Sequence, residues 1–150
     1  MSYKNENMKM IELHENGLDI QFRIRENGVV ELADFSSQEV KKAVMEPKED
    51  ICYPAVEIHR SGTGSLNMHA YKNNINQSSV DFVYENHELK AQAGGKELEI
   101  VMISPEKLKA VYHMRLFDGV PAVQTWTEII NEGSEDQGLT YVSSFMYQGI

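Results

Sequence analysis

This 150-residue sequence predicts an all-β fold, an antiparallel β-sandwich with at most one short helix, and three observations lead there. Apolar and polar residues alternate with period two through much of the chain, the pattern of strands that bury one face. Turn-forming residues punctuate the alternating runs. Only one stretch offers a helical spacing. Roughly eight strands at short intervals, with no internal repeat and no linker, predict one sandwich domain over residues 1–150.

In LDIQFRI, Leu18, Ile20, Phe22 and Ile24 fall on one face and Asp19, Gln21 and Arg23 on the other. Asn27-Gly28 follows, then VVELADF; both turn residues tolerate the positive φ of a tight hairpin, so residues 18–35 read as one. SSQEVKKAVME offers the helix: Ser36 and Glu39 have capping-box spacing, and Val40 and Val44 lie four apart. Further strands are expected at YPAVEIH (53–59), SVDFVYEN (79–86), ELEIVMI (97–103), LKAVYHMRLF (108–117), PAVQTWTEII (121–130) and LTYVSSFMY (139–147). Gly94-Gly95, Ser104-Pro105, Asp118-Gly119 and Asn131-Glu132-Gly133 supply the turns, and the polar run 73–80 reads as an exposed loop. The 108–117 and 121–130 strands should pair about Asp118-Gly119, with Leu116 facing Val123. Ala110, Tyr112, Met114 and Leu116 should share one face and His113 and Arg115 the other.

A formal charge of -9, from 23 acidic against 14 basic side chains, excludes a nucleic-acid binder, because that affinity rests on neutralising phosphates with Lys and Arg. No apolar run approaches the ~20 residues of a bilayer span, so no membrane partner is expected, and MSYKNENMKM lacks the apolar segment of a secretory signal. The single Cys52 makes no internal disulfide, which suits a cytoplasmic protein.

The most crowded polar stretch is VEIHRSGTGSLNMH, residues 56–69. As a metal site it lacks a compact ligand set: His59 and His69 are ten apart, and His14, His87 and His113 are scattered. No bound metal or other cofactor is expected. As a nucleophile elbow it fails because Thr63, not a serine, stands between Gly62 and Gly64. As a phosphate loop it lacks the lysine and the following helix. A glycine turn with polar edges is the expectation. Glu57, Asp118 and Glu128 lie in or beside strands, where a carboxylate is ordinarily the solvent-facing half of the alternation. Trp126, between Thr125 and Thr127, offers an indole face of the kind that stacks on the apolar face of a sugar.

YPAVEIHRSGTGSLNMHAYKN, YHMRLFDGVPAVQTWTEIINEG and LTYVSSFMY together resemble the N-terminal region of family 36 alpha-galactosidases, over roughly residues 50–147. In that family a Pro-Ala strand precedes a variable loop. A strand pair then leads to an Asn-x-Gly turn, here Asn131-Glu132-Gly133, and to a strand with a central serine, here Ser143 or Ser144. The resemblance implies a supersandwich like that of galactose mutarotase, placed before a catalytic (β/α) barrel. That barrel typically needs ~250 residues, and the family's catalytic aspartates lie on it. The chain is therefore expected to be the first part of such an N-terminal domain and inactive alone, with no catalytic residues of its own. Implied partners are that barrel, a galactose-containing oligosaccharide reached through the parent enzyme, and further copies of the chain in a homo-oligomer. A free-standing carbohydrate-binding or assembly module is the alternative. His59, Arg60, His69 and Trp126 are the sugar-contact candidates.

Overall fold

The computed structural model describes residues 8–38, 52–63 and 77–147. Its elements run β1 (Lys9–Glu15), β2 (Leu18–Ile24), β3 (Val30–Ser37), β4 (Ile58–Arg60), α1 (Gln77–Val80), β5 (Val83–Gln92), β6 (Gly95–Ile103), β7 (Leu108–Phe117), β8 (Val120–Asn131) and β9 (Leu139–Val142). They form antiparallel sheets of order β1-β2-β3, β4-β9 and β5-β6-β7-β8. The fold is an all-β sandwich, as the alternation predicts.

The core lies where the three-stranded and four-stranded sheets face each other. Leu18, Ile20, Phe22 and Ile24 from β2 meet Leu98, Ile100 and Met102 from β6 and Ala110, Tyr112, Met114 and Leu116 from β7 in one buried cluster. Phe22 and Tyr112 touch edge to face at 5.7 Å between ring centres, the geometry their opposed quadrupoles favour. Ile58 carries β4 into the same core with no exposed surface. Burial pushes the Tyr112 phenol well above its ordinary range, offset in part by Thr125.

The expected hairpins form. Gly28 at φ 85° closes β2 on β3, and Leu116 faces Val123 across β7 and β8. Other expectations change. β1 and its Asn16-Gly17 turn, with φ of 55° and 81°, add a hairpin that the reading passed over although the turn dipeptide is the same. Ser36 is no helix cap: it pairs with Asp19 inside β3 and donates to Asp34 at 3.1 Å, while Glu39, Val40 and Val44 lie outside the described residues. The 53–59 strand shrinks to an isolated bridge between Pro54 and Glu31, then β4, because a proline without N–H cannot sustain a ladder.

The end of the expected 73–80 loop is helical and buried. Ser78 and Ser79 both donate to the Ile58 carbonyl, while Ser79 Oγ accepts from the Ile58 N–H at 2.9 Å and Ser78 Oγ from the Arg60 N–H at 3.2 Å. Polar composition there reflects bonds to β4, not exposure; residues 73–76 are outside the description. β5 accordingly starts at Val83 instead of 79 and runs on to Gln92. β9 ends at Val142, after which Ser143 bonds to Glu57 through its N–H at 2.8 Å and its hydroxyl at 2.7 Å. No helix among the described residues is long and apolar enough to cross a membrane.

Candidate functional site

The sequence candidates do not assemble. His59 and Arg60 alternate on β4, while Trp126 lies on β8 in another sheet. His59 Nε2 is 2.9 Å from Glu57 Oε1, and its ring tilts against Tyr141 at 5.1 Å. Arg60, 8 % exposed, is clamped by Asp81 at 3.0 Å and Glu106 at 2.7 Å. Burial works to raise the Glu106 carboxyl, but hydrogen bonds from its own backbone and Ser104, with the Arg60 charge, hold it below its ordinary value. Ser61 and Gly62 make a turn, with Gly62 at φ 81° and the Thr63 hydroxyl donating to the Arg60 carbonyl at 2.7 Å. That is the glycine turn with polar edges. His69 lies outside the described residues, as do the other positions from 64 to 69.

Convergence occurs instead on the outer face of the four-stranded sheet. Strand alternation turns Leu98, Ile100, Tyr112 and Met114 inward and therefore Glu97, Glu99, His113 and Arg115 outward. Register then aligns them: Glu88, Glu99, His113 and Trp126 form one row across β5 to β8, and Lys90, Glu97, Arg115 and Gln124 the next. Gly95 makes this register possible, because a Cβ there would lie 1.9 Å from the Leu116 carbonyl oxygen.

At the centre, His113 is 7 % exposed and Glu97 6 %. His113 Nδ1 is 3.0 Å from Glu97 Oε1 and 3.8 Å from Glu99 Oε1, and its Nε2 is 3.5 Å from Glu128 Oε2. The other oxygen of each inner carboxylate is held from outside: Gln92 donates to Glu97 Oε2 at 3.0 Å and Lys90 to Glu99 Oε2 at 2.6 Å. That bond to Glu99 raises the Lys90 ammonium above its ordinary value. Arg115 is turned away, donating to the Ala93 carbonyl at 3.3 Å.

Trp126 stacks on His113 with ring centres 4.6 Å apart and planes 6° from parallel. This matches the ~4.8 Å spacing of paired strands, so the rings stack along the pairing direction. The second indole face therefore looks out past β8, where no further strand pairs among the described residues. Gln124 and Glu128, two residues to either side on the same strand face, put an amide and a carboxylate beside it.

No protein-family model and no curated protein matches the chain. The sequence reading found Trp126 but missed its neighbours Glu97, Glu99 and His113, because it searched for ligands close in sequence. The alternation in ELE and the Ser104-Pro105 turn carried the signal: folding β6 onto β7 about that turn sets Glu99 opposite His113.

Proposed function

We propose that this chain is the ancillary, non-catalytic β-sandwich of an alpha-galactosidase-like glycoside hydrolase, acting in domain packing and in shaping the sugar site. One observation carries the reading: the three segments that resemble that family come together as one bonded unit. Val142 pairs with Ile58, Ser143 exchanges two hydrogen bonds with Glu57, and Thr127 Oγ1 donates to the Ser143 carbonyl at 2.9 Å. The Pro-Ala segment, the β7–β8 hairpin and the serine-bearing segment thus interlock, as parts of a single scaffold should. The chain's clustered carboxylates support a non-catalytic role. Glu97 and Glu99 are each tied to His113 and to a second donor, whereas a retaining glycosidase needs two carboxyls about 5 to 5.5 Å apart flanking the scissile bond. The outward face of Trp126 is the surface for galactose-containing oligosaccharide, the C–H face of the sugar lying on the indole and Gln124 and Glu128 meeting its hydroxyls.

The test measures hydrolysis and binding on one sample. No turnover of an aryl alpha-galactoside above background is expected, with a change in the emission of the single tryptophan on adding a galactose-containing oligosaccharide. Turnover that survives repurification and disappears on Glu57→Gln would overturn the ancillary reading. Unchanged emission at saturating sugar would remove Trp126 from it.

A further inference from the structure

We propose that Glu97, Glu99 and His113 bind one divalent first-row cation of zinc's class, with Glu128 orienting the imidazole from behind. This goes beyond the ancillary role and does not rest on it. It also reverses the expectation of no metal, which considered histidine spacing along the chain and the lone cysteine but not carboxylates on neighbouring strands.

Three observations point the same way. The first is ligand geometry. One atom each from Glu97, Glu99 and His113 lies within 4.8 Å of the others. The Nδ1 separations of 3.0 and 3.8 Å bracket the ~3.3 Å expected between ligand atoms that surround a zinc ion tetrahedrally at about 2.0–2.2 Å. The second is how the carboxylates are held. On both, Oε1 turns toward His113, while Oε2 is fixed by an outside donor, Gln92 or Lys90. Metal-ligating carboxylates are commonly hydrogen-bonded through their other oxygen in this way.

The third is the imidazole itself. Its side chain is 9 % exposed, and Nε2 is buried without a hydrogen bond, pointing at Glu128 Oε2 from 3.5 Å. A cation on Nδ1 takes the lone pair there and places the proton on Nε2, where Glu128 receives it. A carboxylate behind a ligating histidine fixes the tautomer and raises the ligand's basicity. Energetics agree. Glu97 bonds only to a neutral amide and a shared imidazole, with the Lys90 charge bonded to Glu99 and acting on Glu97 from further off, and a buried carboxylate demands compensating charge. Two carboxylates and one imidazole suit zinc or manganese, whereas calcium takes oxygen alone. Three protein ligands leave a position for water.

The experiment uses the whole chain, stripped with a chelator and dialysed against zinc and, separately, manganese. One ion per chain is expected. Glu99→Gln should weaken binding at least tenfold, and Glu128→Gln, at a surface position whose change leaves the core intact, by about 10–100-fold. His14→Gln, on the opposite sheet, should change nothing. Because Trp126 stacks on His113, a paramagnetic substitute such as copper(II) should quench its emission in the parent chain and far less in the Glu99→Gln chain. No retained ion at free zinc of about 100 µM overturns the proposal, leaving an internally satisfied ion cluster. So does retention that neither glutamate substitution weakens.

Discussion

His59 and His113 each stand on a strand beside a carboxylate, yet their surroundings differ in kind. Around β4 the charges close on one another: His59 has Glu57, and Arg60 fills the space between Asp81 and Glu106. Around β7, Glu97, Glu99 and Glu128 face one imidazole with Lys90 as the nearest fixed cation. The first arrangement ties β4 to Asp81, just past α1, and to Glu106 in the Ser104–Leu108 turn, and leaves little for a ligand to add. The second gathers three carboxylates around one imidazole on a sheet face, the arrangement from which the cation site is proposed. Crowding along the sequence marked the structural cluster, and crowding across strands marked the chemical one.

The most severe way to break this contrast is Gly95→Ala. A methyl group at 1.9 Å from the Leu116 oxygen must push β6 off β7, at a cost of about 3 kcal/mol. Urea denaturation should show the loss, and Trp126 emission should shift as the row from Glu99 to Trp126 is disturbed. A wild-type midpoint would mean that the β6–β7 register does not hold the cluster.

Arg60→Leu comes next. It takes the guanidinium away from two carboxylates, but Asp81 and Glu106 keep access to water with side chains 27 % and 42 % exposed, and Glu106 keeps its bonds from Ser104 and its own backbone, so the cost is about 2 kcal/mol and not the larger penalty of a fully buried pair. Trp126 emission should stay unchanged. A shift would show the two neighbourhoods to be coupled and dissolve the comparison.

Smallest are the titrations of two histidines outside both clusters. A hydrogen bond to Asp19 raises His14 above 6.5, whereas burial and the nearby Lys9 lower His87 below it. The stability from His14 is complete below 6.5 and is lost as pH rises through its folded midpoint. That from His87 is complete above 6.5 and is lost as pH falls toward its own midpoint. Proton NMR should place the two midpoints on opposite sides of 6.5, and midpoints on the same side would refute the assignment.

Much of the fold was legible because its determinants are local. Period-two runs and Asn27-Gly28 or Asp118-Gly119 specify a strand, its face and its partner within about twenty residues. Ser78 and Ser79 were not legible, since their burial depends on β4, some twenty residues away. Trp126 was legible as an aromatic on a strand. Its stack on His113 needed one hairpin register, that of β7 on β8 about Asp118-Gly119, and bringing Glu99 into the same row needed a second, each within reach of the turn residues that the sequence displays.

The two outer strands of the four-stranded sheet differ as well. β5 carries Glu85, Glu88 and Lys90 and a bulge at Tyr84–Asn86, devices that discourage pairing. β8 is 12 residues long with Glu128 as its sole charge, and its own guard is confined to one end, where Pro121 and Ala122 bulge out between the Val120 and Val123 pairings with β7. Among the described residues, the run from Val123 to Asn131 pairs with β7 on one side and with no strand on the other, which gives the sheet a valence of one. Two copies joined edge to edge through that run would each fill the other's free edge, so growth by that route would stop at a closed pair.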